Sequence, residues 1–188
     1  MSLRSLLIRG GVVVCKDKGK LDIEKAKEKL SEGWGKNYYV FNKEYPYRDL
    51  KPRIIAEEYK EDESGYELKD YKFFCFNGIV QLFKIDYDRT TDHHANYYSR
   101  DGVKLPFGEA AFKPTNKYIT LPSNLGKMIE LAEKLAKDKI FVRVDFYDVN
   151  NKIYFGEITF FPASGMGKFT DEKWDFKLGE MIKLPKLK

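Results

Sequence analysis

Residues 141–165 read FVRVDFYDVNNKIYFGEITFFPASG, and the fold turns on this stretch. Its alternation on either side of Asn150-Asn151 predicts two β-strands joined at that point. On the first strand Phe141, Arg143, Asp145 and Tyr147 fall on one face, with Val142, Val144 and Phe146 on the other. On the second strand Glu157 and Thr159 share a face. Whether the two carboxylates meet depends on the loop. A three-residue loop (Asn150, Asn151, Lys152) pairs Val149 with Ile153 and sets Asp145 opposite Glu157, whereas a two-residue loop puts them on opposite faces. Asparagine tolerates the left-handed backbone that either loop needs, so both stay open. Opposite one another, their Cβ atoms lie ~5 Å apart. Carboxylates that close repel unless a cation or a proton sits between them. Hard oxygen ligands on a rigid hairpin suit Mg²⁺, and Arg143 is near enough to reach phosphates held by the same ion. The competing reading is a solvated hairpin face held by an Arg–Asp–Glu salt bridge, because structural ion pairs imitate functional ones.

The rest of the chain narrows the class. At 188 residues it is long enough for one domain or two small lobes. Hydrophobic and charged fractions of 43% and 34% are those of a soluble globular protein, expected in the cytoplasm. The 34 basic residues against 29 acidic ones give +5, which suits anionic ligands such as nucleotides. That excess is too dispersed for a nucleic-acid partner, and no basic block marks a tail. The longest apolar run, SLLIRGGVVVC, is interrupted by Arg9 and two glycines, so no membrane span is expected. Cys15 and Cys75 lack metal-ligand spacing and read as buried free thiols.

Along the chain, Gly11–Lys16 predicts the first strand. Asp22 caps a helix running to about Glu32, with Ile23, Ala26 and Leu30 inward and Gly33 at its end. Residues 35–52 read as an irregular aromatic-rich loop, Arg53–Lys60 as a strand and Glu61–Lys69 as a turn. Asp70–Asn77 and Ile79–Tyr87 predict a hairpin turning at Asn77-Gly78. Asp88 to about Thr120 reads as a long polar loop. Ser123 is the expected cap of a helix whose stripe is Leu125, Met128, Ile129, Ala132, Leu135 and Ala136. After the 141–165 hairpin, Thr170 starts a last helix with Trp174, Leu178, Met181 and Ile182 inward. Strand pairs alternating with single helices predict an α+β fold.

In this order the parts resemble the TupA-like ATP-grasp family. The resemblance runs from Gly10-Gly11-Val12-Val13-Val14-Cys15-Lys16-Asp17-Lys18 nearly to the C-terminus. It includes PRIIAEEYKED (52–62), DYKFFCFNG (70–78), the D-x-D-R-x-T-x-H-x-x-N pattern from Asp86 to Asn96, and the hairpin with its PASGMGKF extension. It implies antiparallel strand pairs with packed helices. Residues 1–60 would be a partial first lobe with a glycine-rich start, and 61–188 a second lobe carrying the metal and phosphate site. ATP would be held between two such lobes while a substrate carboxylate is phosphorylated and then captured by an amine. Asp145 and Glu157 look like the metal pair. Thr159 stands where the wider superfamily's E-x-N-x-x-P motif has asparagine, so a hydroxyl replaces an amide. Gly10 and Gly11, where the match begins, fall with the nucleotide-binding positions. Glu57, Glu58 and Tyr59 resemble the hinge that meets adenine and ribose. Asp70 and Lys72 look like an acid–base pair near ribose and phosphates, and Lys84 is a further phosphate candidate against a reading as a solvated lysine. Arg143 belongs with the phosphates, and His93 falls on a loop histidine that could touch substrate.

Residues 1–9 match poorly to the lysine and glycine/serine-rich loop that the family places before Gly10-Gly11. A chain truncated at its N-terminus, without the upstream domain, is therefore expected. Three functions stay open. The first is an ATP- and Mg²⁺-dependent carboxylate–amine ligase of bacterial cell-surface polymer biosynthesis, taking a carboxylate or a sugar-polymer substrate. The second is a non-catalytic ATP-grasp remnant or interaction module. The third is a glycosyltransferase using a nucleotide sugar, with Asp86-x-Asp88 as its metal motif.

Overall fold

The computed structural model describes residues 2–6, 12–31, 38–51, 53–65, 67–89 and 91–186. They fall into two compact units, Met1–Lys60 and Glu61–Lys188. Both are built from antiparallel sheet and helix, as an α+β fold requires. Among the described residues no helix is long and apolar enough to cross a membrane.

In the first unit β1 (Ser2–Leu6) lies between β2 (Val12–Val14) and β3 (Arg53–Glu57). Helix α1 (Ile23–Ser31) packs on β2 and opens as expected, with Asp22 Oδ1 accepting from the Lys25 amide at 3.0 Å. Ala26 and Leu30 are buried, but Ile23, in the first helical turn, is exposed. Gly33 lies outside the described residues. Residues 38–51 are more ordered than a loop reading expects. They hold α2 (Tyr38–Asn42) and a 3₁₀ turn at Tyr45–Tyr47, in which the Tyr45 ring meets Tyr39 edge-on and lies under the Arg48 guanidinium.

The second unit is a five-stranded sheet in the order β6-β5-β4-β7-β8, from β4 (Asp70–Phe76), β5 (Ile79–Tyr87), β6 (His94–Ser99), β7 (Phe141–Val149) and β8 (Lys152–Thr159). One face packs on α3 (Leu125–Ala136): Phe73, Cys75, Val80, Phe83, Ile85, Val142, Val144 and Phe146 meet Met128, Ile129, Ala132 and Ala136. Leu135 stays exposed at the edge of that stripe. On the opposite face Phe74, Phe76, Leu82 and Tyr97 pack with Phe107 and Leu178. The remainder of that face is charged.

Both hairpins turn through two residues with left-handed backbone, Asn77-Gly78 (φ 51° and 83°) and Asn150-Asn151 (φ 53° and 61°). The second turn settles the loop question, for Val149 pairs with Lys152. A two-residue loop alone would separate Asp145 from Glu157. They are nevertheless opposite, because the register shifts by one between Asp145 and Phe146 and leaves Gly156 as an extra residue in β8. A Cβ on Gly156 would stand 3.0 Å from the Asp145 carbonyl oxygen, so any larger residue in the bulge would crowd the backbone it faces. The first hairpin repeats the device. Phe74 pairs with Leu82 but Cys75 with Val80, so Gln81 is bulged out. Beyond that bulge Lys84 stands opposite Lys72, and Asp86 opposite Asp70.

Three other expectations are corrected. The segment 88–120 is not all loop: β6 pairs along β5, with Tyr98 stacked on Phe83 and Asn96 buried between the Thr115 amide and carbonyl. Its polar flanks hide a strand whose two tyrosines serve opposite faces. Ser123 does not cap α3, since its hydroxyl donates to Asn151 Oδ1 and the helix begins two residues later. Thr170 does not start the last helix. Its hydroxyl accepts from the Gly108 amide, and α4 (Lys173–Gly179) follows, with Leu178 buried, Trp174 stacked on Phe107, and Ile182 beyond the helix and exposed.

Candidate functional site

The charged face is assembled by strand register. Across five strands one row runs Tyr97, Lys84, Lys72, Asp145, Glu157, and the row beside it carries Asp86 and Asp70. On the other side of the first row lies Arg143, opposite Thr159. Each bulge brings part of this set to the face. Without Gln81 out of register, Lys84 and Asp86 would point at α3. Without Gly156 out of register, Glu157 would do so.

Lys72 is the centre. Its ammonium contacts Asp70, lies 3.1 Å from Asp86 and 3.4 Å from Asp145, and is 7% exposed. Burial works against its charge, but Asp70, Asp145 and Asp86 outweigh burial and hold it above the ordinary lysine range. Lys84 is buried rather than solvated, 2.9 Å from Glu109 and 3.5 Å from Asp86. Burial raises the Asp86 carboxyl, yet the Lys72 and Lys84 ammonium groups carry it below the usual carboxylate range. Arg89 reaches Asp70 at 3.2 Å, and His93 Nε2 lies 3.3 Å from Asp86. Asp70 Oδ1, Asp86 Oδ1 and His93 Nε2 are buried without a hydrogen-bond partner among the described residues.

At the hairpin end Arg143 grips Asp145 with two bonds of 2.7 Å, Nε to Oδ1 and Nη2 to Oδ2. The same Nη2 donates to Glu157 Oε1 at 2.7 Å and to Thr159 Oγ1 at 3.0 Å. Thr159 in turn donates to Glu157 Oε1 at 2.8 Å. Asp145 is 1% exposed, and its burial pushes the carboxyl above the ordinary range against the pull of Arg143 and Lys72. The hairpin thus holds the Arg–Asp–Glu ion pairs of the competing reading. Three hard oxygens, Asp145 Oδ2, Glu157 Oε1 and Thr159 Oγ1, converge on one cationic nitrogen. That donor set fits Mg²⁺, and the guanidinium stands where a cation would be held. No group of three or more His, Cys, Asp or Glu side chains gathers for a metal among the described residues.

The face therefore unites Asp70, Lys72, Lys84, His93, Arg143, Asp145, Glu157 and Thr159. The other predicted residues belong to the first unit. Glu57 ends β3, Glu58 pairs with Lys60 at 2.5 Å, and the Tyr59 ring lies 5.0 Å from the Lys16 ammonium. Gly10 and Gly11 lie outside the described residues. The first unit also has an open pocket of about 460 Å³ between β2 and α1, lined by Lys16, Lys20, Lys25 and Lys29 with Asp17 and Asp22. Sequence reading missed Arg89 and Glu109, and placed Asp86 only in a D-x-D motif. That motif divides: Asp86 joins the charged face, while Asp88, at φ 51° beyond β5, pairs with Lys117 at 3.5 Å. Asp86 could have been found by placing a bulge in the first hairpin. Glu109 offers no local signal, since it enters from the loop after β6. His93 and His94 share no site: His94 stacks on Tyr87.

A family model described as TupA-like ATPgrasp matches residues 7–183. Among solved structures, the crystal structure of D-Alanine-D-Alanine Ligase from Helicobacter pylori is similar at 16% identity and a TM-score of 0.39. The match covers 82% of this chain and 39% of the ligase chain, so the chain spans well under half of that protein. No curated protein matches.

Proposed function

We propose, from the premise that this chain belongs to the TupA-like ATP-grasp family, that its charged sheet face is the phosphate and metal side of an ATP site. The activity we assign is carboxylate–amine ligation in the building of bacterial cell-surface polymers. One observation carries the reading: two separate bulges turn Lys84 and Asp86 in one hairpin, and Glu157 in the other, out of the core-facing register onto one face. Burying two lysines and three aspartates together costs stability unless the arrangement serves something.

In this reading Lys72, Lys84 and Arg143 meet phosphate oxygens, where preorganised cations stabilise charge developing on a transferred phosphoryl group. Asp145, Glu157 and Thr159 would hold Mg²⁺, which neutralises phosphate charge when bound. Asp70 is assigned to the ribose side, and Glu57, Glu58 and Tyr59 to the nucleoside on sequence alone. Gly10 and Gly11 are assigned to the nucleotide on sequence alone. To His93, which lies beside Asp86, we assign receipt of the proton that an attacking amine must lose.

The rival reading is a remnant that no longer catalyses. In its favour, Lys72, Lys84, Arg89 and Arg143 all have carboxylate partners without any ligand. The glycosyltransferase reading is weakened by the divergence of Asp86 and Asp88. Calorimetric titration with ATP, with and without Mg²⁺, separates the first two. Mg²⁺-dependent binding that the Asp145→Asn/Glu157→Gln double variant loses is the expected result. Absence of binding at millimolar ATP would leave the remnant.

A further inference from the structure

Arg143 Nη2 sits within 3.0 Å of three oxygens contributed by two neighbouring strands, Asp145 Oδ2, Glu157 Oε1 and Thr159 Oγ1. Those are the hard donors that the nucleotide reading assigns to a divalent ion. A guanidinium nitrogen and a metal cannot both stand at the point where these oxygens converge, and like charges that close repel. We propose that Arg143 is a tethered counter-ion that plugs the cation position while the site is at rest. It gives up Glu157 and Thr159 when a divalent ion arrives. The inference rests on the metal reading of Asp145 and Glu157, and adds that occupancy is a competition with a side chain of the same protein.

The surroundings fit a plug that can leave. Glu157 is half-exposed, with its side chain at 52%, so one wall of the position opens to solvent. Asp145, by contrast, keeps Lys72 at 3.4 Å and is not stranded when the guanidinium moves. A guanidinium released from one carboxylate retains a planar fork of donors suited to phosphate. Ion entry would thereby convert Arg143 from a partner of acids into a partner of phosphate. At rest the plug spares the site the repulsion between Asp145 and Glu157 that the Gly156 bulge creates.

The test uses the full chain and Mn²⁺ alone, followed by electron paramagnetic resonance. Replacing the plug with a neutral side chain, Arg143→Gln, is expected to tighten Mn²⁺ binding by about tenfold or more. Arg143→Lys keeps a cation in place and is expected to stay near the wild type. Adding Glu157→Gln to Arg143→Gln is expected to abolish the gain. An Arg143→Gln protein that binds Mn²⁺ no more tightly than wild type overturns the inference, as does a gain that survives Glu157→Gln. Should Arg143→Gln fail to fold, the Nε–H resonance of Arg143 in the wild type, titrated with Mg²⁺, gives the same answer. A shift that saturates with the metal supports the plug, and a resonance unmoved at saturation overturns it. Failure of the underlying reading shows separately, as absence of MgATP binding by the wild type in calorimetry.

Discussion

Asp145 stands directly opposite Glu157 across β7 and β8, although the turn joining those strands would by itself point them to opposite faces. The extra residue that corrects the register is Gly156, whose missing side chain leaves room for the Asp145 carbonyl and the Tyr147 ring. The candidate site thus depends on a glycine that contributes no side chain to it.

Gly156→Ala tests that dependence. A Cβ at 3.0 Å from backbone oxygen and 3.1 Å from the Tyr147 ring must push one of them aside. Overpacking of this kind costs about 1–3 kcal/mol. Denaturant unfolding is expected to show that loss. A hairpin that relieves the clash by expelling the bulge would turn Glu157 toward Val144, and Mn²⁺ binding would fall with it. Unchanged stability and unchanged metal binding would mean that the bulge is not needed.

Lys72 makes a different prediction, because it separates three acids. Lys72→Met leaves Asp70, Asp86 and Asp145 facing one another with their central cation removed. Breaking a buried ion pair from one side costs about 3–5 kcal/mol. Adding Asp145→Asn should return part of the loss, so the double variant is expected to be more stable than the two single effects summed. Additive effects in a double-mutant cycle would show that Lys72 and Asp145 do not interact energetically.

The pH dependence of stability follows from Asp86. Its folded carboxyl lies below the ordinary range because Lys72 and Lys84 outweigh burial, so the unfolded chain takes up its proton first. The contribution of Asp86 is therefore complete above its unfolded value of about 3.9 and drains away as pH falls through the lower folded value. Asp86→Asn removes that contribution, expected to be about 2 kcal/mol for hydrogen bonds to a charged group. The gap between wild type and variant should be flat near neutral pH and shrink in acid. A gap that widens in acid would reverse the assigned direction.

Much of this was legible in the sequence, for reasons that differ from place to place. Asn77-Gly78 and Asn150-Asn151 announce their turns because few residues accept left-handed backbone. The alternation of Val142, Val144 and Phe146 announces a core face, and the Met128–Ala136 stripe announces the helix that covers it. What stayed hidden was register. A bulge has no hydropathy signature, and shifting by one residue inverts the destination of every side chain beyond it. That is why a two-residue loop reads as putting Asp145 and Glu157 on opposite faces when they in fact share one. β6 was hidden for another reason: it has polar partners, Asn96 among them, that only long-range pairing with Thr115 satisfies. Glu109 was out of reach because nothing near it in sequence names Lys84.

Charge balance gives the last prediction. Around the face lie five carboxylates, Asp70, Asp86, Glu109, Asp145 and Glu157, against four cations, Lys72, Lys84, Arg89 and Arg143. Leaving His93 aside, the excess is one negative charge. A highly anionic nucleotide arriving without a divalent ion would meet net repulsion at short range, and would also have to take each cation from an acid already holding it. ATP binding in the presence of a chelator is therefore expected to be at least about tenfold weaker than with Mg²⁺. Glu109→Gln isolates the cause. It touches none of the assigned metal donors, yet it releases Lys84 from the nearer of its two carboxylates and removes the excess charge. It should recover part of the metal-free binding while leaving Mn²⁺ affinity close to wild type. If Glu109→Gln weakens metal-free ATP binding instead, the carboxylate is organising Lys84 rather than opposing the nucleotide, and the charge argument fails.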